Sequence, residues 1–140
     1  MSGAVLSHSL RVRFAECDPQ SVVFNSRYLE YFDVALTELW REALGNYDAV
    51  MADAGLDLVV AEASVRYRAP LRFDDVFEMR AVISRLGTTS TVTSITILRD
   101  GEITTEGDLR HVFVRRDTGE KAEIPAGIKT ALAAYAPSGT

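Results

Sequence analysis

The feature that most constrains this chain is a single change of period. Between Ser26 and Leu44, apolar residues recur at three- and four-residue steps: Leu29, Phe32, Leu36, Leu39 and Ala43. Tyr28, Ala35 and Trp40 widen that stripe, while Arg27, Glu30, Thr37, Glu38, Arg41 and Glu42 lie mostly off it. From Asp57 to Arg116 the period falls to two. A helix with so wide an apolar face must be gripped by a sheet, so the order predicts an α+β layer with the sheet wrapped on one helix.

The boundaries follow from local chemistry. Asn25 or Ser26 can cap the helix, and Gly45 stops it. Tyr47–Ala54 is a short second helix that ends at Gly55. Before the long helix, Leu6–Phe14 is a strand with Leu10, Val12 and Phe14 on one face, and Pro19 breaks the ladder beyond it. After it, Asp57–Ala69 alternates, with Val59, Ala61, Ala63, Val65 and Tyr67 on one face and Leu58, Val60, Glu62, Ser64, Arg66 and Arg68 on the other. Pro70 and Asp74-Asp75 mark a turn. Val76–Leu86, Thr89–Leu98 and Ile103–Arg116 continue the strands, with a hairpin at Arg99-Asp100-Gly101-Glu102. Pro125–Ala134 is a short last helix. Val60 and Val82, on the nominally polar face, call for cover by a partner subunit. Met1–Ala4 and Pro137–Thr140 read as frayed tails.

Composition narrows the function. At 140 residues the chain is one domain, 1–140, large enough for a core without staples. A net charge of −5 argues against a nucleic-acid partner. Cys17 is the only cysteine, so neither an intramolecular disulfide nor a Cys-rich zinc site can form. No apolar run reaches about 18 residues and no signal-peptide pattern opens the chain, so the expected location is the cytoplasm, without membrane insertion.

Asp18 stands in a turn shortly before the long helix. The residues alone leave two readings open. It can cap an Asp-Pro turn, or it can act as a general base or nucleophile. The helix start offers backbone N–H groups without intrahelical partners, and positive potential besides.

The run Phe14-Ala-Glu-Cys-Asp18-Pro-Gln-Ser-Val-Val-Phe-Asn25-Ser-Arg-Tyr28-Leu-Glu-Tyr-Phe-Asp33 resembles the hotdog-fold thioesterases of the 4-hydroxybenzoyl-CoA thioesterase type, a group that includes the tol–pal-cluster acyl-CoA thioesterases. Val65-Arg-Tyr-Arg-Ala-Pro-Leu-Arg-Phe-Asp-Asp75 resembles their second-strand exit, and Gly87-Thr-Thr-Ser90 their third hairpin. The resemblance implies a hotdog fold with about five antiparallel strands around one central helix. It implies a homodimer, paired again as a dimer of dimers, with the active site between subunits and no metal or organic cofactor.

By the same resemblance, Asp18 is the base or nucleophile in acyl-CoA hydrolysis, and the backbone N–H of Asn25 polarises the thioester carbonyl. Relatives often carry Tyr or His where this chain has Asn25; a backbone donor tolerates the change, and a plain helix cap stays open for this residue. Val23, Phe24 and Asp33 are the candidate acyl contacts. Asp33 corresponds to the position that meets a ring hydroxyl in the hydroxybenzoyl branch, and otherwise it is a solvated acid or a partner of Arg27 or of an intersubunit residue. Arg85, Thr89 and Lys121 are the candidates for the CoA arm, with Arg115 and Arg116 beside them. Two other functions stay open: a non-catalytic module that binds acyl-CoA or a protein, and a thioesterase for acyl-carrier-protein substrates. No His follows Asp18 closely, which disfavours hydratase chemistry and a Cys–His nucleophile. Cys17 reads as a small buried neighbour, His8 and His111 as structural, and Tyr31 and Trp40 as core or interface.

Overall fold

The computed structural model describes residues 3–137. Five strands form one antiparallel sheet in the order β1-β3-β4-β5-β2: β1 Leu6–Arg11, β2 Leu56–Tyr67, β3 Val76–Leu86, β4 Ser90–Arg99 and β5 Glu102–Arg115. Helix α1, Arg27–Leu44, lies across one face. Helices α2, Tyr47–Ala54, and α3, Ala126–Ala133, pack near its C-terminal half. The α+β expectation is met.

Alternation in the sheet sorts the core. Phe77, Met79, Ala81 and Ile83 of β3, with Ile95 and Ile97 of β4 and Leu109 and Phe113 of β5, are buried beneath the helix. They meet Tyr28, Tyr31, Phe32, Ala35, Leu39 and Trp40 from α1. The closest approach is at Gly107, where an added Cβ would sit 2.4 Å from Cε2 of Phe32 and 2.2 Å from the carbonyl oxygen of Ser64. Only a residue without a Cβ lets the ring rest on the backbone there. The β4–β5 hairpin turns through Asp100 and Gly101, both at positive φ (53° and 81°), as a tight antiparallel turn requires.

Three expectations need correction. The first strand stops at Arg11, because Phe14–Glu16 winds into a 3-10 turn. Phe14 leaves the core and stacks edge-on against Phe73, 77% exposed. In β2 the alternation is not continuous: the register with β5 shifts between Val60 and Glu62, so Ala61 is an extra residue. Leu58 and Val60 therefore share a face with Ala63, Val65 and Tyr67, across from Phe113, His111, Leu109, Gly107 and Thr105. Val60 is on the helix side, not the polar side, and it is 53% exposed. Finally, Ala4 is not frayed: its N–H donates to the Ala134 carbonyl at 2.7 Å. Of the two expected tails, residues 1, 2 and 138–140 lie outside the described residues.

Candidate active site

The site is built on a small hairpin between the 3-10 turn and α1. Cys17 pairs with Val23, the Asp18 N–H donates to the Val22 carbonyl at 2.8 Å, and the Phe24 N–H donates to the Glu16 carbonyl at 2.9 Å. Ser21 turns the chain with φ 64°. The hairpin is stitched to the segment before β3 by the Val23 N–H on Leu71 and the Phe73 N–H on Ser21.

Asp18 uses its two oxygens differently. Oδ1 accepts the Gln20 N–H at 2.8 Å and, more weakly, the Val22 N–H at 3.4 Å. Oδ2 accepts nothing among the described residues. One side of the carboxylate closes the turn, and the other stays available for chemistry.

The helix start is uncapped. Ser26 holds the cap position with helical backbone angles, and its side chain makes no capping bond, so the cap expected of Asn25 is absent. The Asn25 carbonyl is engaged, accepting from the Tyr67 hydroxyl at 2.9 Å. Its N–H has no acceptor among the described residues. Asn25 opens onto a hollow of about 220 Å³ shared with Val23, Tyr28, Tyr67 and Pro70. Val23 lines this hollow from the core, 5% exposed, whereas Phe24 turns outward and is 51% exposed.

Glu16, which sequence reasoning passed over, anchors the arrangement. It is buried, and its Oε1 accepts the Arg13 N–H and the Tyr31 hydroxyl, both at 2.8 Å. Its Oε2 accepts the Arg13 guanidinium at 3.0 Å. Burial pushes the Glu16 carboxyl up, but these donors together outweigh it and hold the pKa below the ordinary value. The same bond and burial raise the Tyr31 hydroxyl, so it stays protonated as a donor. The signal in the sequence was the spacing Arg13-x-x-Glu16, a local bond across one turn; Tyr31 joins it only through the fold.

Asp33 is an exposed residue of α1 within electrostatic reach of His111 on β5. Crowding by protein raises its pKa, the nearby His111 pulls it back down, and Glu30 adds repulsion. Arg27 pairs with Glu30 at 3.0 Å, so it is not the partner of Asp33. His111 is 4% exposed and is held neutral by burial, a tendency that the Asp33 charge opposes.

Arg85, Thr89 and Lys121 gather elsewhere. The Thr89 carbonyl accepts the Phe113 N–H, and Lys121 bridges Val114, so both sit at the far end of β5. Arg85 is near the last residue of β3, whose first residue follows Asp75 beside the Asp18 hairpin. At about 3.3 Å per residue that separation is roughly 30 Å within one chain. Arg85 and Lys121 make no ion pair among the described residues, whereas Arg115 pairs with Asp117 and Arg116 with Asp57. Cys17 is half-buried, and its thiol is pushed up by burial and by neighbouring carboxylates, which keeps it unreactive. Among the described residues no cluster of His, Cys, Asp and Glu could hold a metal ion, and no helix is long and apolar enough to cross a membrane.

The family described as the thioesterase-like superfamily matches residues 12–132. The acyl-CoA thioester hydrolase YbgC of Escherichia coli is 30% identical over 66% of this chain and 68% of its own. A 1,4-dihydroxy-2-naphthoyl-CoA hydrolase of Synechococcus is 25% identical over 88% of this chain and 86% of its own. The crystal structure of a hypothetical protein from Aquifex aeolicus superposes with a TM-score of 0.84 at 29% identity, covering 91% of this chain and 98% of that one. The architecture is the hotdog fold, and the chain belongs to the thioesterase-like superfamily as a thioester hydrolase.

Proposed function

We propose that this chain hydrolyses acyl-CoA thioesters at the junction of the Asp18 hairpin and the start of α1. The observation that carries the reading is that the Asp18 hairpin leads directly into the uncapped start of α1 and leaves two groups unused among the described residues, Oδ2 of Asp18 and the N–H of Asn25. The N–H, helped by the helix dipole, polarises the thioester carbonyl and takes the charge of the tetrahedral oxyanion. Asp18 either removes a proton from the attacking water or attacks the carbonyl itself to give a mixed anhydride that water then opens. Collapse expels the CoA thiolate, whose parent thiol has a pKa of about 8.5, so little acid assistance is needed.

The acyl group would run along α1 from Asn25 toward Asp33, a helical rise of roughly 12 Å. Helical side chains lean toward the N-terminus, which brings the Asp33 carboxylate back within the span of an aromatic acyl group. Its carboxylate favours a hydroxylated ring, and the Synechococcus relative is named for such an acyl group.

The working unit in this reading is a homodimer joined along β2. That edge exposes Val59, Val60 and Tyr67 at 48%, 53% and 54%. Antiparallel pairing with a second β2 would set the partner's Leu56 end beside this chain's Tyr67. The partner's counterparts of Thr89 and Lys121 would then approach the Asn25 hollow, which one chain alone does not achieve.

The test is thiol release from a panel of acyl-CoAs, with benzoyl-, 4-hydroxybenzoyl- and short straight-chain acyl-CoA included. Turnover that disappears in Asp18→Asn supports the reading. A wild-type protein that binds acyl-CoA and releases no thiol would make it a binding module instead.

A further inference from the structure

Tyr67 is the last residue of β2, and its ring reaches over to the start of α1. It meets Tyr28 edge-on, with ring centroids 5.2 Å apart, and its hydroxyl donates to the Asn25 carbonyl at 2.9 Å. The side chain is exposed and lines the Asn25 hollow, so it adds little to the core. The strand beneath it is firm. Tyr67 pairs with Thr105 of β5, and the next N–H, that of Arg68, donates to the Thr104 carbonyl at 2.8 Å.

Two peptide groups flank the α-carbon of Asn25. The first carries the Asn25 N–H, and its carbonyl, that of Phe24, accepts the Arg27 N–H at 2.9 Å. The second carries the Asn25 carbonyl. Among the described residues that carbonyl has one main-chain donor, the Tyr28 N–H, at a long 3.4 Å. The Ser26 side chain makes no capping bond that would hold the turn instead. The Tyr67 hydroxyl therefore supplies the one short tether on the second peptide.

We propose that Tyr67 is a positioning residue for the hydrolysis: its hydroxyl, carried on β2, holds the Asn25 main chain so that the Asn25 N–H stays aimed at the thioester oxygen. The inference rests on the acyl-CoA hydrolase reading above and deepens it. An oxyanion donor works because it is fixed before the charge develops and needs no reorganisation during the reaction. A turn tied at both peptides leaves its N–H fewer orientations than a turn tied at one. The hydroxyl is spent on the main chain, so its loss should appear in kcat rather than in KM.

The experiment measures kcat and KM of Tyr67→Phe with the acyl-CoA of the panel above that the wild type hydrolyses fastest. The variant keeps the ring on Tyr28 and deletes only the donor, so its melting curve should stay close to that of the wild type. The expected kcat is about tenfold lower, a fraction of the loss for deleting an oxyanion donor outright, with KM within about twofold. The same change is then made in Asn25→Pro, which has no N–H to aim. There it should alter kcat by less than about twofold, whereas a general weakening of the fold would cost as much in either background.

A Tyr67→Phe protein with the kcat of the wild type, or with a loss confined to KM, overturns the inference while the hydrolase reading stands. So does an equal loss of kcat in the Asn25→Pro background. A wild type that releases no thiol from any acyl-CoA of the panel overturns both.

Discussion

The hydroxyl of Tyr31 donates to Oε1 of Glu16 at 2.8 Å, inside the contact between α1 and the turn that precedes the Asp18 hairpin. Glu16 in turn receives the Phe24 N–H on its backbone carbonyl. One residue thus ties the hairpin to the helix by its side chain and to the helix entry by its main chain. Tyr31→Phe leaves a buried carboxylate short of one donor, and stability should fall by about 1–3 kcal/mol in urea denaturation. The pH dependence has a definite sign. The folded pKa of Glu16 lies below its ordinary value of 4.5, so its stabilising contribution is present above that pH and is lost as pH falls through the folded value. Glu16→Gln should flatten the acid limb of the melting curve.

Asp18→Asn separates the two jobs of Asp18. Asparagine keeps Oδ1 as an acceptor for the Gln20 N–H, so the hairpin should persist with little change in melting temperature. In the proposed mechanism the variant loses the base or nucleophile, and kcat/KM should fall by at least about a hundredfold. Near-normal turnover in this variant would sink the mechanism.

At Asn25 the backbone and the side chain make opposite predictions. Asn25→Ala retains the N–H, and kcat should fall no more than a few-fold. Asn25→Pro removes the N–H, and the loss should reach about 10² to 10³, the range for deleting one oxyanion donor. Equal losses in the two variants, with both folded by circular dichroism, would move the polarising role to the amide side chain.

Asp33 carries a cost for its position. Crowding raises its folded pKa above the ordinary value, so the folded state is penalised once pH rises past that value, and the penalty is absent in acid. Asp33→Asn should therefore raise the melting temperature slightly at pH 8 and not at pH 3. The same change should weaken any preference for hydroxylated acyl groups, a trade of stability against selectivity.

Gly107→Ala forces a methyl group against the Phe32 ring and the Ser64 carbonyl. Overpacking at this contact should cost about 1–3 kcal/mol, read as a shift in the denaturation midpoint. A companion Phe32→Leu should recover part of it, because the ring supplies much of the clash.

The helix, the succession of strands along the chain and the Asp100–Gly101 hairpin were legible in the sequence, because period and turn chemistry are local; the place of β2 at the far edge beside β5 was not, because it depends on long-range pairing. Nor was the bulge at Ala61. Val59 and Val60 are both valine, so an alternation read on either side of them looks unbroken, and a small extra residue leaves no mark. Phe14 misled for the opposite reason: an apolar side chain at the right spacing was taken for core, and it spends its surface on Phe73 instead. Glu16 stayed hidden because its decisive partner is Tyr31, far along the chain and close only after folding. The candidate CoA residues illustrate a limit of distance. Nothing in the spacing of Asp75, Arg85 and Lys121 says that a strand of β3's length separates them from the hairpin.

The asymmetry within the Asp18 carboxylate has a practical consequence. Since architecture rests on one oxygen and, in the proposed mechanism, reactivity on the other, a single amide substitution should yield a receptor with the geometry of the enzyme. Such a protein would capture its thioester intact, and could fish the unmodified acyl-CoA from a cell extract for identification by mass.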